Sequence, residues 1–344
     1  MLDMMVVNEA QLIITEFVKL VPGERVCLVT DFARRNEAQA LLLACQHAGA
    51  DVIVIDASPT ISKWMSSGAY WLDLPPHLHV AVQAANVSIF TVDETYAFRL
   101  DHHVRRLFKT GPDCSVFKVD VGMGKWGINI EDIQRTNVIG HALMNAVDGH
   151  DRVHVTSPNG TDITVSIRDR KCLPVWPLPE RGMPYGIPVP LWGEYNWAPL
   201  EDSAEGIFVI DGISEATALL HTVSAPVTLK VHAGRVVEVL GWRDADDWRS
   251  IFRTDVNANV VGELGIGANS KAWPGTETEK ALLGTVHIGF GDNSDYPGGT
   301  NSSQIHVDGV SRDVTIEVDG RIIVKDGRLA MPIASEGSSA TTEG

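Results

Sequence analysis

Apolar positions in the first 150 residues fall into two alternating patterns. Asn8 to Leu20 has the three- and four-residue spacing of an amphipathic helix, and Pro22-Gly23 ends it. Arg25 to Thr30 and Asp51 to Ile55 are short and almost continuously apolar, which is typical of strands buried on both faces. An alanine- and leucine-rich helix, Asn36 to Ala48, lies between them. The order strand, helix, strand predicts a right-handed βαβ unit.

A weaker copy of this pattern follows. It predicts a helix at His77 to Ala84, a strand at Val87 to Thr91, a helix at Thr95 to Thr110 and a strand at Ser115 to Val121. We therefore predict that residues 1–150 form an α/β scaffold domain with a mainly parallel sheet. The first strand is followed by T-D-F-A-R-R-N rather than by a glycine-rich loop, so no nucleotide site is expected there.

The pattern changes near Val153 to short alternating runs that are separated by turn residues. Ala233-Gly234 and Asp319-Gly320 each lie between two such runs, which is the arrangement of a β-hairpin. We predict that residues 151–333 form a β-rich α+β domain that carries the metal-binding and catalytic groups. Residues 334–344 are rich in serine, glycine and threonine, and this composition predicts a disordered tail.

Composition narrows the range of partners. The chain has 344 residues, of which 44% are hydrophobic and 21% are charged, and this balance is typical of a globular protein with a large core. The net charge of −16 opposes binding to a phosphate backbone, so no nucleic-acid partner is expected. No apolar run is long enough to cross a membrane, and the N-terminus lacks the basic region of a signal peptide. We therefore predict a cytoplasmic protein without a membrane partner.

Carboxylates and imidazoles are concentrated between residues 261 and 310, where they alternate with glycines and short apolar runs. Carboxylate oxygen and imidazole nitrogen are preferred donors for divalent metals. His306 and Asp308 are two residues apart in a predicted strand, so both side chains point to the same face and can bind one ion. The candidate ligands are Glu263, His287, His306 and Asp308, with Glu279 as a fifth candidate.

Each candidate also has a purely structural explanation. The H-V-D-G segment could be a surface strand with its polar residues in solvent, and His287 could be a hydrogen-bonded histidine of the core. Glu263 could belong to a buried ion pair, because a buried carboxylate is costly unless it is paired or bound to a metal. Glu279 could begin an exposed helix, and Glu277 is a competing acid.

Two further groups of residues have candidate roles. The pairs His77-x-His79 and His102-His103 have metal-like spacing but no carboxylates to complete a site, so we interpret them as surface features. Between Cys172 and Pro199 the chain is dense in proline, tryptophan and tyrosine, which predicts the wall of a pocket or a subunit contact. The candidate substrate-binding residues of this stretch are Tyr185, Trp192, Tyr195 and Trp197.

Three segments resemble the metal-binding segments of the aminopeptidase T group (peptidase family M29). They are G-E-L-G-I-G-A-N, E-K-A-L-L-G-T-V-H-I-G-F-G and H-V-D-G. A related family, the iron-dependent 2,5-dihydroxypyridine 5,6-dioxygenases, is similar at E-D-S-A-E-G and in chain length. The resemblance runs from about Pro22 to Ile323 and implies membership of the metalloenzyme superfamily that contains both groups. It also implies a homo-oligomer.

The resemblance to the peptidases implies a ligand set made up of Glu263, His287, His306 and Asp308. It also implies that Glu279 matches a second glutamate. The peptidase tyrosine falls near Ser294, and Tyr296 is the nearest tyrosine, which makes it a candidate substrate contact. Compared with the dioxygenase, the first histidine ligand falls at Glu263 and the serine ligand at His287.

We expect metal-dependent hydrolysis of an amide-type bond through a metal-activated water, as in an aminopeptidase or amidase. Glu279 would bridge a second ion or act as general base. One alternative is an Fe(II)-dependent dioxygenase that opens a hydroxylated N-heterocycle with two histidines and one carboxylate as ligands. Another is a non-catalytic metal-binding module. The expected cofactor is one or two divalent ions (Zn, Mn, Co or Fe), and the expected substrate is a small molecule or a short peptide.

Overall fold

The computed structural model describes residues 2–100, 114–119, 121–177 and 187–333, and for 187–189 it describes the backbone alone. Four predictions therefore lie outside the described residues. They concern most of the helix expected at Thr95 to Thr110, the His102-His103 pair, Tyr185 and the C-terminal tail.

The N-terminal half is built on a parallel sheet of five strands with helices on both faces. The strands are β1 (Arg25–Thr30), β2 (Asp51–Asp56), β3 (Val87–Thr91), β4 (Ser115–Val119) and β8 (Ile187–Val189). They lie side by side in the order β2-β1-β3-β4-β8. The helices are α1 (Met4–Leu12, continued by a π-helical turn at Ile13–Val18), α2 (Arg35–His47), α3 (Ser58–Met65) and α4 (Pro76–Ala84), with a 3-10 turn at Ala97–Leu100.

Alternation of side chains along β1 produces the two helical layers. Val26 and Leu28 pack into the core formed with α1 and α2, whereas Cys27 and Val29 pack into the core formed with α3 and α4. β1 is thus buried on both faces, as expected. The same prediction for β2 is wrong, because β2 lies at the edge of the sheet and the side chain of Ile53 is 51% exposed. An apolar run alone does not distinguish an edge strand from a central one.

The C-terminal half contains two antiparallel sheets. The strands of the larger sheet are β5 (Arg152–Thr156), β6 (Asp162–Ser166), β10 (Glu205–Ile210), β13 (Val227–His232), β14 (Arg235–Leu240), β18 (Thr315–Val318), β19 (Arg321–Lys325) and β20 (Arg328–Leu329). Its order is β14-β13-β10-β6-β5-β18-β19-β20. Helix α6 (Arg243–Ile251) follows β14.

The smaller antiparallel sheet has seven strands. They are β7 (Leu173–Val175), β9 (Glu194–Trp197), β11 (Ile213–Ser214), β12 (His221–Thr222), β15 (Val261–Gly267), β16 (Val286–Gly291) and β17 (His306–Ser311). The order is β12-β11-β17-β16-β15-β9-β7, and a 3-10 turn at Glu277–Ala281 lies between β15 and β16.

The two antiparallel sheets enclose one large hydrophobic core. Leu264 and Ile288 of the seven-stranded sheet share this core with Val155 and Phe208 of the eight-stranded sheet. Helix α5 (Ile130–Val147) also contributes to it. Because one face of the seven-stranded sheet is committed to this core, polar side chains of its strands point to the other face.

The predicted fold class, a parallel α/β part followed by a β-rich α+β part, is confirmed. Both expected hairpins are present, and Ala233 and Asp319 have φ angles of 47°, the left-handed conformation of a tight hairpin turn. Helix α5 is not among the predicted elements, although Asn129 and Asp132 form a capping box at its start. None of the described helices is long and apolar enough to span a membrane.

Candidate metal centre

Strand register places the predicted ligands on one face of the seven-stranded sheet. Glu263 on β15 lies opposite Gly289 on β16, and Gly289 lies opposite Asp308 on β17. Directly opposed residues of an antiparallel pair point to the same face. His287 and His306, which are each two residues from a member of this row, point to that face as well.

Glycines between the ligands leave the space that the donor groups occupy. A Cβ atom at Gly289 would lie 2.7 Å from Glu263 Oε2 and 2.8 Å from Asp308 Oδ1. A Cβ atom at Gly265 would meet the ring of His287, 2.6 Å from its Nδ1. Glycine is therefore required at positions 265 and 289, because any larger side chain there would displace a donor group.

The donor atoms converge in a buried cluster. Glu263 Oε1 is 3.2 Å from His287 Nε2, and Glu263 Oε2 is 2.8 Å from His306 Nε2. His306 Nε2 is also 3.3 Å from Asp308 Oδ1. One donor atom each from Glu263, His287 and Asp308 lie within 4.8 Å of one another, a grouping that could hold a metal ion.

The backbone fixes the orientation of one imidazole. His306 Nδ1 lies 2.7 Å from the carbonyl oxygen of Asp292, so Nδ1 carries the proton and donates it there. Nε2 then points into the cluster, which is the arrangement of a metal-binding histidine. Tyr296 stacks on the His306 ring with a centroid separation of 5.7 Å. The predicted substrate contact Tyr296 therefore lies at the site.

The pKa values show strong charge coupling. Burial would lower the pKa of His287, but the Glu263 carboxylate outweighs it and raises that pKa to about 9. Burial likewise opposes the charge on His306, yet Asp308 and Glu263 raise its pKa well above the usual value. Burial and Asp308 both act to raise the pKa of Glu263, but the two imidazoles hold it at about 2. Protons on the imidazoles thus balance the carboxylates in the metal-free cluster.

The donor set fits a divalent ion. Imidazole nitrogen and carboxylate oxygen suit Fe, Mn, Co or Zn. Within the described part of the chain, the buried atom Asp308 Oδ1 has no hydrogen-bond partner, although it faces the His306 ring at 3.3 Å. An unsatisfied buried carboxylate oxygen is costly, and a cation that replaced the imidazole protons would satisfy it.

A lysine and three further acids extend the cluster, and of these only Glu277 was considered from the sequence, as a competitor of Glu279. Lys280 Nζ is 2.9 Å from both Glu215 Oε1 and Asp308 Oδ2, and 3.9 Å from Glu277 Oε1. Burial and the neighbouring Asp308 raise the pKa of Glu215 to about 7. Glu194 Oε2 is 3.9 Å from His287 Nε2, and burial raises the pKa of Glu194. The alternation E-Y-N-W could have indicated Glu194, whereas Glu215 lies in a segment without such a signal.

The Glu279 carboxylate, for which a role as bridging ligand or general base is predicted, has its hydrogen-bond partners outside the cluster. It pairs with Arg312 Nε and accepts a hydrogen bond from Gly275 N at 2.7 Å. The cause is the 3-10 turn, whose period of three residues places Glu277 and Lys280 on the same side and Glu279 on another.

The predicted aromatic wall divides between two faces. Tyr195 and Trp197 point away from the donors, into the hydrophobic core, because they alternate with Glu194 along β9. Both predicted substrate contacts thus have their side chains in the core of the protein. Trp192 lies beside the cluster, with Lys280 Nζ 5.8 Å from its ring centroid.

Residues of the N-terminal half cover the site strand. The Tyr70 hydroxyl donates a hydrogen bond to the carbonyl oxygen of His306. Trp71 Nε1 donates to the carbonyl oxygen of Gln304 at 3.1 Å. The Arg99 guanidinium lies 3.8 Å from the Tyr70 ring centroid. The strand that carries two candidate ligands is thus held between both halves of the chain.

Other potential ligands are engaged elsewhere. His221, Asp244 and Asp247 form a second group near the start of α6. Asp244 there accepts from Ser224 N at 3.0 Å and pairs with His221 at 3.0 Å. His77 is exposed on α4 and belongs to neither of the two potential ligand groups among the described residues.

The comparisons with known proteins agree with the fold. The family model of NicX, 2,5-dihydroxypyridine 5,6-dioxygenase, matches residues 131–331, which is more than half of the chain. The structure of 2,5-dihydroxypyridine dioxygenase from Pseudomonas putida KT2440 is similar with a TM-score of 0.71 and 17% identity, over 95% of this chain and 97% of that chain. Wild-type AmpT from Thermus thermophilus is similar with a TM-score of 0.65 and 16% identity, over 95% and 99% of the two chains.

Comparison with curated proteins finds no match. The expected relation to the 2,5-dihydroxypyridine 5,6-dioxygenases is confirmed, and the fold is shared with both solved structures. The chain belongs to the NicX, 2,5-dihydroxypyridine 5,6-dioxygenase, family.

Proposed function

We propose that this protein is an Fe(II)-dependent dioxygenase that opens the ring of a small hydroxylated N-heterocycle. The proposal rests on the position of Asp308: its Oδ1 lies 3.3 Å from His306 Nε2, and Asp308 shares a potential metal-binding group with His287 and Glu263. Two histidines and one carboxylate are the usual ligands of non-haem Fe(II) oxygenases. Membership of the NicX family supports this activity over the hydrolysis expected from the peptidase resemblance.

The number of cations is part of the proposal. Asp308 turns Oδ1 towards His306 and Oδ2 towards Lys280. The ammonium group therefore occupies the side of Asp308 on which a second ion would bind, and this arrangement supports one ion per chain. A single ion is compatible with an oxygenase, whereas a two-ion hydrolytic mechanism needs both positions.

Bound Fe(II) would supply the redox chemistry and the coordination positions that O₂ activation requires. The chain's own residues would do the remaining work. The Asp292 carbonyl holds His306 Nε2 towards the ion, and the Tyr296 ring stacked on His306 limits the access of water. Glu263 contacts both imidazoles and keeps them in place.

Amide hydrolysis is the second candidate, and Glu194 favours it. Its carboxyl group is buried 3.9 Å from His287 Nε2, and burial raises its pKa. A carboxyl with a raised pKa beside a metal site is suited to general acid–base catalysis of attack by water. The positions at which the dioxygenase resemblance expects histidine and serine are Glu263 and His287, which is a further difference from a strict dioxygenase.

Oxygen dependence distinguishes the two activities. The Fe(II)-loaded protein is incubated with 2,5-dihydroxypyridine and related hydroxylated N-heterocycles in an oxygen electrode. We expect consumption of one O₂ per ring opened and no turnover without oxygen. Undiminished turnover under anaerobic conditions, with an amide substrate and Zn or Mn in the site, would establish the hydrolase and reject the oxygenase.

A further inference from the structure

Asp308 links two groups of charges in the candidate metal centre. One oxygen, Oδ1, lies 3.3 Å from His306 Nε2, and the other, Oδ2, lies 2.9 Å from Lys280 Nζ. A carboxylate that turns one oxygen to each of two cations has the geometry of a bridging ligand. In this protein both groups are side chains, the His306 imidazole and the Lys280 ammonium.

Carboxylate oxygens surround the Lys280 ammonium. Glu215 Oε1 and Asp308 Oδ2 are each 2.9 Å from Nζ, and Glu277 Oε1 is 3.9 Å away. The three acids are almost completely buried. Oxygen donors of this kind and number are those that hard divalent ions prefer. The three carboxylates around Nζ therefore form a cation-binding site, and the cation in it is the protein's own Lys280 ammonium.

A fourth acid, Glu194, lies beside this cluster. The Glu194 side chain is 9% exposed, and its Oε2 has no hydrogen-bond partner among the described residues. This oxygen points towards His287 at 3.9 Å. Removal of the lysine takes one positive charge away from these acids, and a cation bound in its place would compensate for that loss.

We propose that the Lys280 ammonium occupies a second cation subsite and thereby restricts this enzyme to one metal ion. The inference rests on the proposed function, because it assumes that the first ion binds at His287, His306 and Asp308. Removing the ammonium leaves Glu215, Glu277 and Asp308 without their cation. A second divalent ion, bridged to the first by Asp308, then restores the charge balance.

The test is the metal stoichiometry of Lys280→Ala. Wild type and variant are saturated with Mn²⁺, desalted and analysed for metal by mass spectrometry and for Mn–Mn coupling by electron paramagnetic resonance. We expect one uncoupled ion per chain in wild type and two coupled ions in the variant. Lys271→Ala removes an exposed lysine that pairs with Asp132 at 3.7 Å, and as the matched control it should retain one ion.

The metal content of wild type and variant tests the proposed function and the role of Lys280 separately. Wild type without bound metal contradicts the proposed function. Wild type with two ions contradicts both the single-ion part of the proposed function and the role of Lys280. A folded Lys280→Ala variant that still binds one ion contradicts the role of Lys280 alone. If the variant is unfolded after purification, its circular dichroism is followed during Mn²⁺ titration. Refolding complete at two equivalents supports the inference, and failure to refold with any amount of Mn²⁺ overturns it.

Discussion

Replacing Gly289 by alanine tests the geometry of the metal centre with one added methyl group. The new Cβ would lie 2.7 Å from Glu263 Oε2 and 2.8 Å from Asp308 Oδ1, whereas ordinary contact begins at 3.4 Å. Each oxygen must therefore retreat by about 0.6–0.7 Å, which exceeds the roughly 0.2 Å tolerance of a metal–ligand distance. We expect metal affinity to fall on the order of 10- to 100-fold, or about 1.4–2.7 kcal/mol.

Gly309→Ala is the matched control because it adds the same methyl group to the opposite face of the neighbouring strand. Its Cβ would lie 2.5 Å from Ile210 Cδ1 and 3.1 Å from Trp248 Cζ2, far from any donor atom. Overpacking of this kind costs about 1–3 kcal/mol of stability. We expect Gly309→Ala to lose stability and to keep its metal affinity.

The assay combines metal titration by calorimetry with urea unfolding of the metal-free proteins. The account requires Gly289→Ala to lose affinity selectively. If its metal affinity stays within about threefold of wild type, or if both variants lose affinity in parallel with stability, the donors do not converge beside Gly289 as described.

Three further predictions concern the surroundings of the site. In Glu279→Gln, metal content should stay at the wild-type value, because the Glu279 carboxylate pairs with Arg312. The free energy of unfolding should fall by about 1 kcal/mol. Loss of metal in this variant would contradict the position of Glu279 outside the metal centre. Because His287 has a pKa of about 9 and His306 a raised pKa, both carry a proton at pH 7 in the metal-free protein. Metal binding at pH 7 should therefore release about two protons and tighten as pH rises to about 9, as measured by calorimetry in buffers of different ionisation enthalpy. Binding without proton release would count against coordination by the imidazoles. Tyr70→Phe should cost about 1 kcal/mol in urea unfolding by removing the hydrogen bond to the His306 carbonyl, and an unchanged stability would show that this bond contributes nothing.

Sequence reasoning succeeded where a local pattern determines the structure. β1 and β3 were predicted with their observed bounds because a buried parallel strand is a continuous apolar run. His306 and Asp308 were placed together because strand geometry has a period of two. The register of the strands brings Glu263 and His287 to the same face, and the neighbouring glycines leave space for their side chains.

The remaining features depend on information that is not local. Lys280 rather than Glu279 faces the cluster because the segment forms a 3-10 turn, and a shift of one residue in phase exchanges their directions. Glu215 directly follows β11 and is far from Asp308 in the sequence, yet its Oε2 accepts a hydrogen bond from Asp308 N. Tyr195 is in the core because the sheet uses that face for packing, which its aromatic composition does not reveal.

Anomalous diffraction from crystals of the Fe(II)-loaded protein tests the central claim most directly. The account predicts a single peak within about 2.0–2.2 Å of His287 Nε2, His306 Nε2 and an Asp308 oxygen, with Lys280 still on the other side of that carboxylate. No peak at this position, or two peaks separated by the Asp308 carboxylate, would contradict it.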